Sequence, residues 1–250
     1  MKQLIVEKLR EIEKTENVRI LLAVESGSRA WGFASPDSDY DARFIYVRPQ
    51  SEYLRLKACR DVIELPIEGE LDINGWDVQK ALRLMHRSNP SLLEWLHSPI
   101  LYLETDEAEL LRRTADMYFS EKRSLYHYAS MALNNYRYYL KGETVRAKKY
   151  FYVLRPVLAC RWILDRHTVP PVPFDELLRA ELPAELAGDV ERLLDIKINS
   201  PEVRDIPRID RLNEYLDASI AEIFAAANSM EAAPDVGWDA LDRLFASVAI

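Results

Sequence analysis

The sequence predicts an α+β protein in which a small mixed β-sheet with helices is followed by an all-helical domain. Short apolar runs typical of strands occur before about residue 105, and no convincing run of this kind follows. Long segments with helical periodicity fill the remainder, and 250 residues are enough for two modest cores. We therefore expect one domain over residues 1–105 and a helical domain over residues 106–250.

The first region alternates helices and strands. An amphipathic run at the N-terminus predicts a helix over residues 2–14. Asp77 is placed to cap a helix over 77–85, and Asn89-Pro90 opens a short helix, because Asn caps helix starts and Pro suits the first position. Apolar runs bounded by turn residues predict four strands, over 18–24, 39–47, 61–66 and 70–76.

The second region carries helical periodicity and no convincing strand. Pro156 falls inside one of its helices and should kink it, since proline lacks the amide proton that a helix interior needs. The proline-rich stretch 167–174 reads as a stiff connection between packed helices. Helices are predicted over 120–140, 146–165, 183–198, 206–226 and 238–248.

The composition argues against several classes of protein. With 48% hydrophobic and 30% charged residues the balance is that of a soluble domain, and the apolar runs are shorter than the roughly 20 residues that span a bilayer. The N-terminus reads as a helix and not as a signal peptide, so we expect a cytoplasmic protein without a membrane partner. Two distant cysteines and four histidines without ligand spacing favour neither a disulfide framework nor a zinc site.

The charge is unevenly distributed along the chain. The formal net charge is −8, which alone argues against binding of nucleic acid. Residues 121–166, however, contain ten basic and three acidic residues, so this stretch carries +7 and the rest −15. A basic island in an acidic protein is a candidate surface for a polyanion, and a solvated helix face is the alternative.

Residues 24–47, VESGSRAWGFASPDSDYDARFIYV, combine the features that carry chemistry. Gly27-Ser28 follows a strand and opens a helix, where unpaired backbone amides, close backbone approach and a hydroxyl can cradle phosphate. Asp39 and Asp41 begin the next strand two residues apart, so both carboxylates point to one face. Together they can hold metal ions beside bound phosphates.

Phosphoryl-type transfer requires this combination of groups. The leaving pyrophosphate needs positive partners and the attacking hydroxyl needs a metal that lowers its pKa, and two ions about 4 Å apart can do both. Mg²⁺ (or Mn²⁺) prefers oxygen ligands, and a third carboxylate is normally needed to hold the second ion. The expected cofactor is therefore a divalent metal.

The motif resembles that of a known superfamily. Gly-Ser followed about ten residues later by Asp-x-Asp on the next strand resembles the DNA polymerase β superfamily of nucleotidyltransferases, over residues 20–76. Most of the chain looks like a bacterial and phage family of predicted nucleotidyltransferases, some encoded beside RNA-repair ligases. That likeness rests on ESGSRAWGFASPDSDYD, on DINGWDVQKALRLMHRSNPSLLEWLHSPI and on KKYFYVLRPVLACRWIL. It implies a polymerase β-like palm domain followed by a helical substrate-binding domain.

The resemblance implies roles for the residues of the first motif. Gly27 and Ser28 would contact the β and γ phosphates of an incoming NTP. Asp39 and Asp41 would bind the metals.

The resemblance also requires a third acid on a neighbouring strand. Asp72 fits this role, in which it would bind the catalytic metal and help to deprotonate the acceptor hydroxyl. Glu70 has the same strand parity and is its rival. Arg29, beside the phosphate cradle, could bind phosphate or pair with Glu25.

The basic island supplies further candidates. In related enzymes with a helical second domain, a Lys and a Tyr of that domain touch the triphosphate and the base, which makes Lys148, Lys149 and Tyr150 nucleotide-binding candidates. Aromatic and basic side chains together can also hold single-stranded nucleic acid. Such residues interleave in the preceding helix, at Arg123, Tyr126, Tyr128, Tyr136, Arg137, Tyr138, Tyr139 and Lys141.

The expected function is transfer of a nucleoside monophosphate from an NTP to an acceptor hydroxyl, with release of pyrophosphate. An RNA 3′ end is the expected acceptor, because of the basic island and the repair-associated family. Nucleotidylation of a protein or of a small molecule, and nucleotide binding without turnover, are the alternatives. Base preference and oligomeric state do not follow from the sequence.

Overall fold

The computed structural model describes residues 1–57, 59–199, 204–231 and 234–249. Two compact units account for the chain. The first contains Met1–Ala30, Asp39–Phe119 and Asp235–Ile250, and the second contains Trp31–Ser38 and Ser120–Pro234. A domain boundary between residues 105 and 106 stays a prediction. The two compact units divide the chain differently at residues 31–38, 106–119 and 235–250.

Helices and strands alternate through the first part of the chain. In chain order they are α1 (Lys2–Thr15), β1 (Arg19–Glu25), α2 (Gly27–Ala30), β2 (Tyr40–Val47), α3 (Gln50–Tyr53), β3 (Val62–Glu64), β4 (Leu71–Asp77), α4 (Val78–His86), α5 (Pro90–Leu96), β5 (Leu101–Glu104) and α6 (Asp106–Tyr118). The later elements are α7 (Glu121–Tyr139), β6 (Thr144–Arg146), α8 (Ala147–Arg166), α9 (Phe174–Glu181), α10 (Ala187–Asn199), β7 (Asp205–Pro207), α11 (Asp210–Ser229) and α12 (Asp239–Val248). No helix in the described ranges has both the length and the apolar character that a membrane crossing requires.

The five-stranded sheet of the first unit has the order β3-β4-β2-β1-β5. β2 and β4 run parallel, whereas the other neighbours are antiparallel. The sheet is therefore mixed, and the predicted α+β class is confirmed. Four of its strands were predicted; β5 was not, because four half-exposed residues give little period-two signal.

Apolar spacing explains how α1 packs. Ile5, Leu9 and Ile12 recur every three or four residues, are fully or almost fully buried, and belong to one core cluster with residues of the strands, among them Ile20 and Phe44. Asp77 caps the start of α4, since its carboxylate accepts a hydrogen bond from the Gln79 amide at 2.8 Å. These two observations confirm the predicted first helix and the predicted cap.

The second unit is helical apart from one small ladder. β6 and β7 pair antiparallel over three residues each, so the prediction of no strand after residue 105 was wrong. Strands this short are below the length at which alternation is recognisable.

Residues 31–38 pack inside this second unit. The Phe33 ring lies 4.9 Å from that of Phe151 and 5.3 Å from that of Phe174. The buried Lys197 ammonium donates to the hydroxyls of Ser35 and Ser38 at 2.8 and 3.2 Å. The chain that precedes Asp39 is thus anchored by an aromatic cluster and by a buried lysine.

We predict that Gly75→Ala destabilises the sheet. A Cβ atom at Gly75 of β4 would lie 2.2 Å from Cε2 of Phe44 on β2, far inside van der Waals contact. Overpacking of this kind costs about 1–3 kcal/mol, measurable as a lower urea midpoint. Phe44→Leu in the same chain should recover part of the loss; equal midpoints for wild type and Gly75→Ala would contradict this packing.

Candidate functional site

Two carboxylates lie side by side on the parallel strands β2 and β4. The register of this pairing sets Asp41 opposite Asp72. The Nη2 atom of Arg43 donates to Oδ1 of Asp41 and to Oδ2 of Asp72, each at 2.7 Å. The three side chains are largely shielded, with exposed fractions of 26%, 30% and 17% for Asp41, Asp72 and Arg43. One guanidinium therefore serves as counter-ion to both acids.

The turn after β1 lies directly against this pair. The Ser26 amide donates to the Asp41 carbonyl at 2.9 Å, and Gly27 follows with a positive φ of 60°. A Cβ atom on Gly27 would lie 2.1 Å from Oδ2 of Asp41. Both the left-handed backbone and this close approach require glycine at position 27.

Burial and neighbouring charges set the ionisation of Asp41. Desolvation raises the pKa of its carboxyl, and the negative charges of Asp72 and Asp39 raise this pKa further. The Arg43 guanidinium opposes them and lowers the pKa. The Arg43 cation thus favours the charged form of Asp41 against desolvation and the two neighbouring acids.

Glu25, at the end of β1, holds the backbone of Asp41 in place. It is not among the metal ligands predicted from the sequence. Its side chain is buried, its Oε1 accepts from the Asp41 amide at 2.7 Å, and its Oε2 accepts a hydrogen bond from the Tyr102 hydroxyl. Burial raises the pKa of Glu25 in spite of these hydrogen bonds. The Ser98 hydroxyl also donates to the Glu25 carbonyl at 2.6 Å. This acid is a structural support and not a surface residue.

Asp39 and Arg29 lie at the exposed entrance to β2. Asp39 immediately precedes the strand and is exposed. The Arg29 Nε donates to the Asp39 carbonyl at 3.1 Å, and its guanidinium stacks 3.5 Å from the centre of the Tyr40 ring. Arg29 thus orients the backbone at Asp39, and its stacking fixes a positive charge at this end of the strand. Ser28 is half-buried and lies in the single helical turn α2.

The register separates the two candidates for the third acid. Glu70 is exposed and precedes β4, and its carbonyl accepts from the Tyr40 amide at 2.6 Å. Asp72 lies within β4 and shares Arg43 with Asp41. The structure therefore brings Asp72, and not Glu70, to Asp41.

The candidates on α8 have different surroundings. Tyr150 has no exposed surface, and its hydroxyl donates to Asn213 and accepts from the Ile209 amide, each at 2.8 Å. A nucleotide contact by Tyr150 does not fit this burial, and we remove it from the predicted set. Lys148 and Lys149 are both half-buried, and the Lys149 ammonium lies 3.9 Å from the centre of the Tyr139 ring.

The acids at Asp39, Asp41 and Asp72 offer oxygen ligands only, the type that Mg²⁺ and Mn²⁺ prefer. No group of three potential ligands is assembled as a metal site within the described part of the chain. Arg43 instead stands between two of the acids and supplies the positive charge that a metal would bring. The three carboxylates fit a hard divalent cation, which would replace Arg43 as their counter-ion.

Comparison with known proteins assigns the chain to a family. Residues 1–247 match the family RlaP, described as the RNA repair pathway DNA polymerase beta family. The chain belongs to this family. The predicted resemblance is confirmed over almost the whole sequence, and the protein is a nucleotidyltransferase of the polymerase β type.

Individual relatives extend the comparison. The chain is 47% identical over 247 residues to a Bacillus subtilis (strain 168) protein described as uncharacterized protein YcgL, covering 98% of this chain and 95% of that one. A solved nucleotidyltransferase-like protein from Exiguobacterium sibiricum 255-15 aligns with 90% of this chain and 75% of its own, at 11% identity and a TM-score of 0.31.

We predict that Arg43→Gln increases the stabilisation of the fold by Mg²⁺. Without the guanidinium, Asp41 and Asp72 repel each other, so the metal-free Tm should fall by about 2–4 °C, equivalent to about 1 kcal/mol. An ion that binds the folded acids would then raise the Tm by more than in wild type, because it no longer competes with Arg43.

Thermal unfolding with and without Mg²⁺ checks this expectation. Arg48→Gln is the matched control, since Arg48 follows the same strand and pairs with Glu16 at 3.9 Å, away from the two acids. The control should respond to Mg²⁺ like wild type. A Mg²⁺ response of Arg43→Gln no larger than that of wild type would refute competition at this site.

Proposed function

We propose that the protein transfers a nucleoside monophosphate from an NTP to the 3′ hydroxyl of an RNA, in the cytoplasm and with Mg²⁺ or Mn²⁺. The observation that carries the proposal is the pairing of Asp41 with Asp72 around one positive charge, with the Gly27 turn in contact with Asp41. The family description adds the link to RNA repair. Carboxylates around a cation, beside a glycine turn, are the groups that nucleotidyl transfer requires.

The reaction breaks a phosphoanhydride bond of the NTP and forms a phosphodiester bond to the acceptor. The acceptor oxygen forms a bond to the α phosphorus, the bond from this phosphorus to the bridging oxygen breaks, and pyrophosphate leaves. Asp72 takes up the proton of the acceptor hydroxyl, as a general base that lies close to the metal-binding acids. Asp39, Asp41 and Asp72 would hold a divalent ion, which would supply Lewis-acid chemistry to the acceptor hydroxyl and positive charge to the phosphates.

The remaining groups bind and orient. The backbone at Gly27, the Ser28 hydroxyl and the Arg29 guanidinium contact the phosphates of the NTP. Glu25 fixes the Asp41 amide through its 2.7 Å hydrogen bond, which holds the beginning of β2 in place. Lys148 and Lys149, in the helical unit, stay predicted nucleotide-binding residues.

We predict that Asp41→Asn and Asp72→Asn each lower the transfer rate by roughly 100-fold or more, whereas Glu70→Gln retains the wild-type rate. The amide keeps the size of each side chain but removes charge and basicity. Glu70 is the matched control because it is an acid two residues from Asp72 whose side chain is exposed. The assay follows label from each α-labelled NTP onto a short RNA in the presence of Mg²⁺.

The acceptor is tested with the same RNA carrying a 3′ phosphate or lacking the 3′ hydroxyl. Label should appear on the hydroxyl-terminated RNA alone. Transfer to a protein band in added lysate, with none to RNA, would replace the RNA acceptor by a protein. Equal labelling by wild type and Asp41→Asn would overturn the assignment of the site.

A further inference from the structure

We infer that a surface formed by Tyr138, Tyr139, Lys149 and Tyr152 binds single-stranded RNA, which on the proposed function is the acceptor strand. These four residues, which we call the tyrosine–lysine surface, belong to α7 and α8 within the helical unit. The Lys149 ammonium lies 3.9 Å from the centre of the Tyr139 ring and 4.5 Å from that of Tyr152. The Tyr138 and Tyr139 rings lie 6.2 Å apart, so the four form one continuous patch.

Eight of the ten basic residues in the island of residues 121–166 fall into two groups in the structure. One group is used inside the helical unit. Its members are Lys122, which donates to the Met230 carbonyl, Arg155, which is buried and stacks on Trp31, Arg161, which pairs with Glu222, and Arg166, which pairs with Asp165. These charges stabilise the fold and are not available for a polyanion.

The second group lies around the turn between α7 and α8. Within the described ranges, no carboxylate forms an ion pair with its members, which are Arg137, Lys141, Arg146 and Lys149. Three of the four are exposed, and Lys149 is half-buried against its two tyrosines. Four positive charges without acidic partners, on a chain of net charge −8, mark this turn as complementary to a polyanion.

The tyrosines of α7 divide in the same way. Tyr128 and Tyr136 are buried and belong to the core, whereas Tyr138 is 84% exposed and Tyr139 is 42% exposed. A ring this exposed contributes little to packing. Exposed rings beside phosphate-binding cations are the arrangement that holds single strands, because unpaired bases stack on the rings while the cations contact the backbone. If the partner were an acidic protein, the positive charges would suffice and the exposed rings would have no role. The exposed tyrosines therefore favour RNA as the partner.

The test measures RNA binding directly, in the absence of metal and NTP. The full-length protein is titrated into a fluorescein-labelled single-stranded oligouridylate of about 12 nucleotides, within the range of single-strand binding sites, and anisotropy is recorded. Tyr138→Ala should weaken binding by about 5- to 100-fold, the effect of losing one stacked base. Lys149→Glu should also weaken binding and reduce the salt dependence of the affinity by about one phosphate contact.

The controls separate binding from folding. Tyr138→Phe keeps the ring and should bind like wild type, and Arg179→Ala removes an exposed charge that pairs with Asp175 elsewhere in the same unit and should have no effect. Tm values of the Tyr138 and Arg179 variants should match that of wild type, because both side chains are exposed. Duplex RNA of the same length should bind more weakly, since its bases are already stacked.

Three results would overturn the inference: no binding by wild type, wild-type affinity of Tyr138→Ala, or equal affinity for duplex RNA. Failure of the proposed function is distinguishable from failure of this inference. Binding that depends on Tyr138 without any nucleotidyl transfer to RNA would leave the surface in place and remove the catalytic role. Transfer to RNA that is as fast in Tyr138→Ala as in wild type would support the proposed function and overturn the RNA-binding role of this surface.

Discussion

The parallel pairing of β2 with β4 is the constraint on which the site depends. It brings Asp41 and Asp72, 31 positions apart in the sequence, onto adjacent strands in matching register. Two like charges at this separation are unfavourable unless a cation compensates them, and Arg43 does so from within the same sheet. The glycine turn after β1 and the buried Glu25 then leave Asp41 little freedom to move. The sheet thus holds two acids together through one shared counter-ion.

Most residues of the candidate site could be predicted from local patterns in the sequence. The Gly-Ser turn and the Asp-x-Asp strand lie within fifteen residues. The resemblance to the polymerase β superfamily implied a third acid on a neighbouring strand, for which Asp72 fits and Glu70, with the same strand parity, is the rival. Parity cannot decide between residues two apart, because both point to the same face. The decision depends on where β4 begins and on its register with β2, which is a property of pairing between distant segments.

The features of the site that sequence reasoning missed depend on contacts between segments that are distant in the sequence. Glu25 looks like a surface acid until Ser98 and Tyr102, more than seventy residues later, cover it and donate to it. Tyr150 follows two lysines in the sequence, yet most of the surface of α8 is buried. Basic neighbours therefore do not show whether Tyr150 itself is exposed. Arg43 lies in a strand that reads as apolar, and its role requires acids from two strands.

The path of the chain between the two units has a consequence for recombination. Residues 31–38 leave the sheet unit to join the aromatic cluster of Phe33, Phe151 and Phe174, and the chain returns to the sheet at Asp39. At the other end, Trp238 stacks on His86 and Phe245 contacts Tyr53 edge to face, inside the first unit. An exchange of one unit between relatives therefore needs four junctions, after residues 30, 38, 119 and 234. A single crossover after residue 119 would separate segments of both units, so it would disrupt both cores.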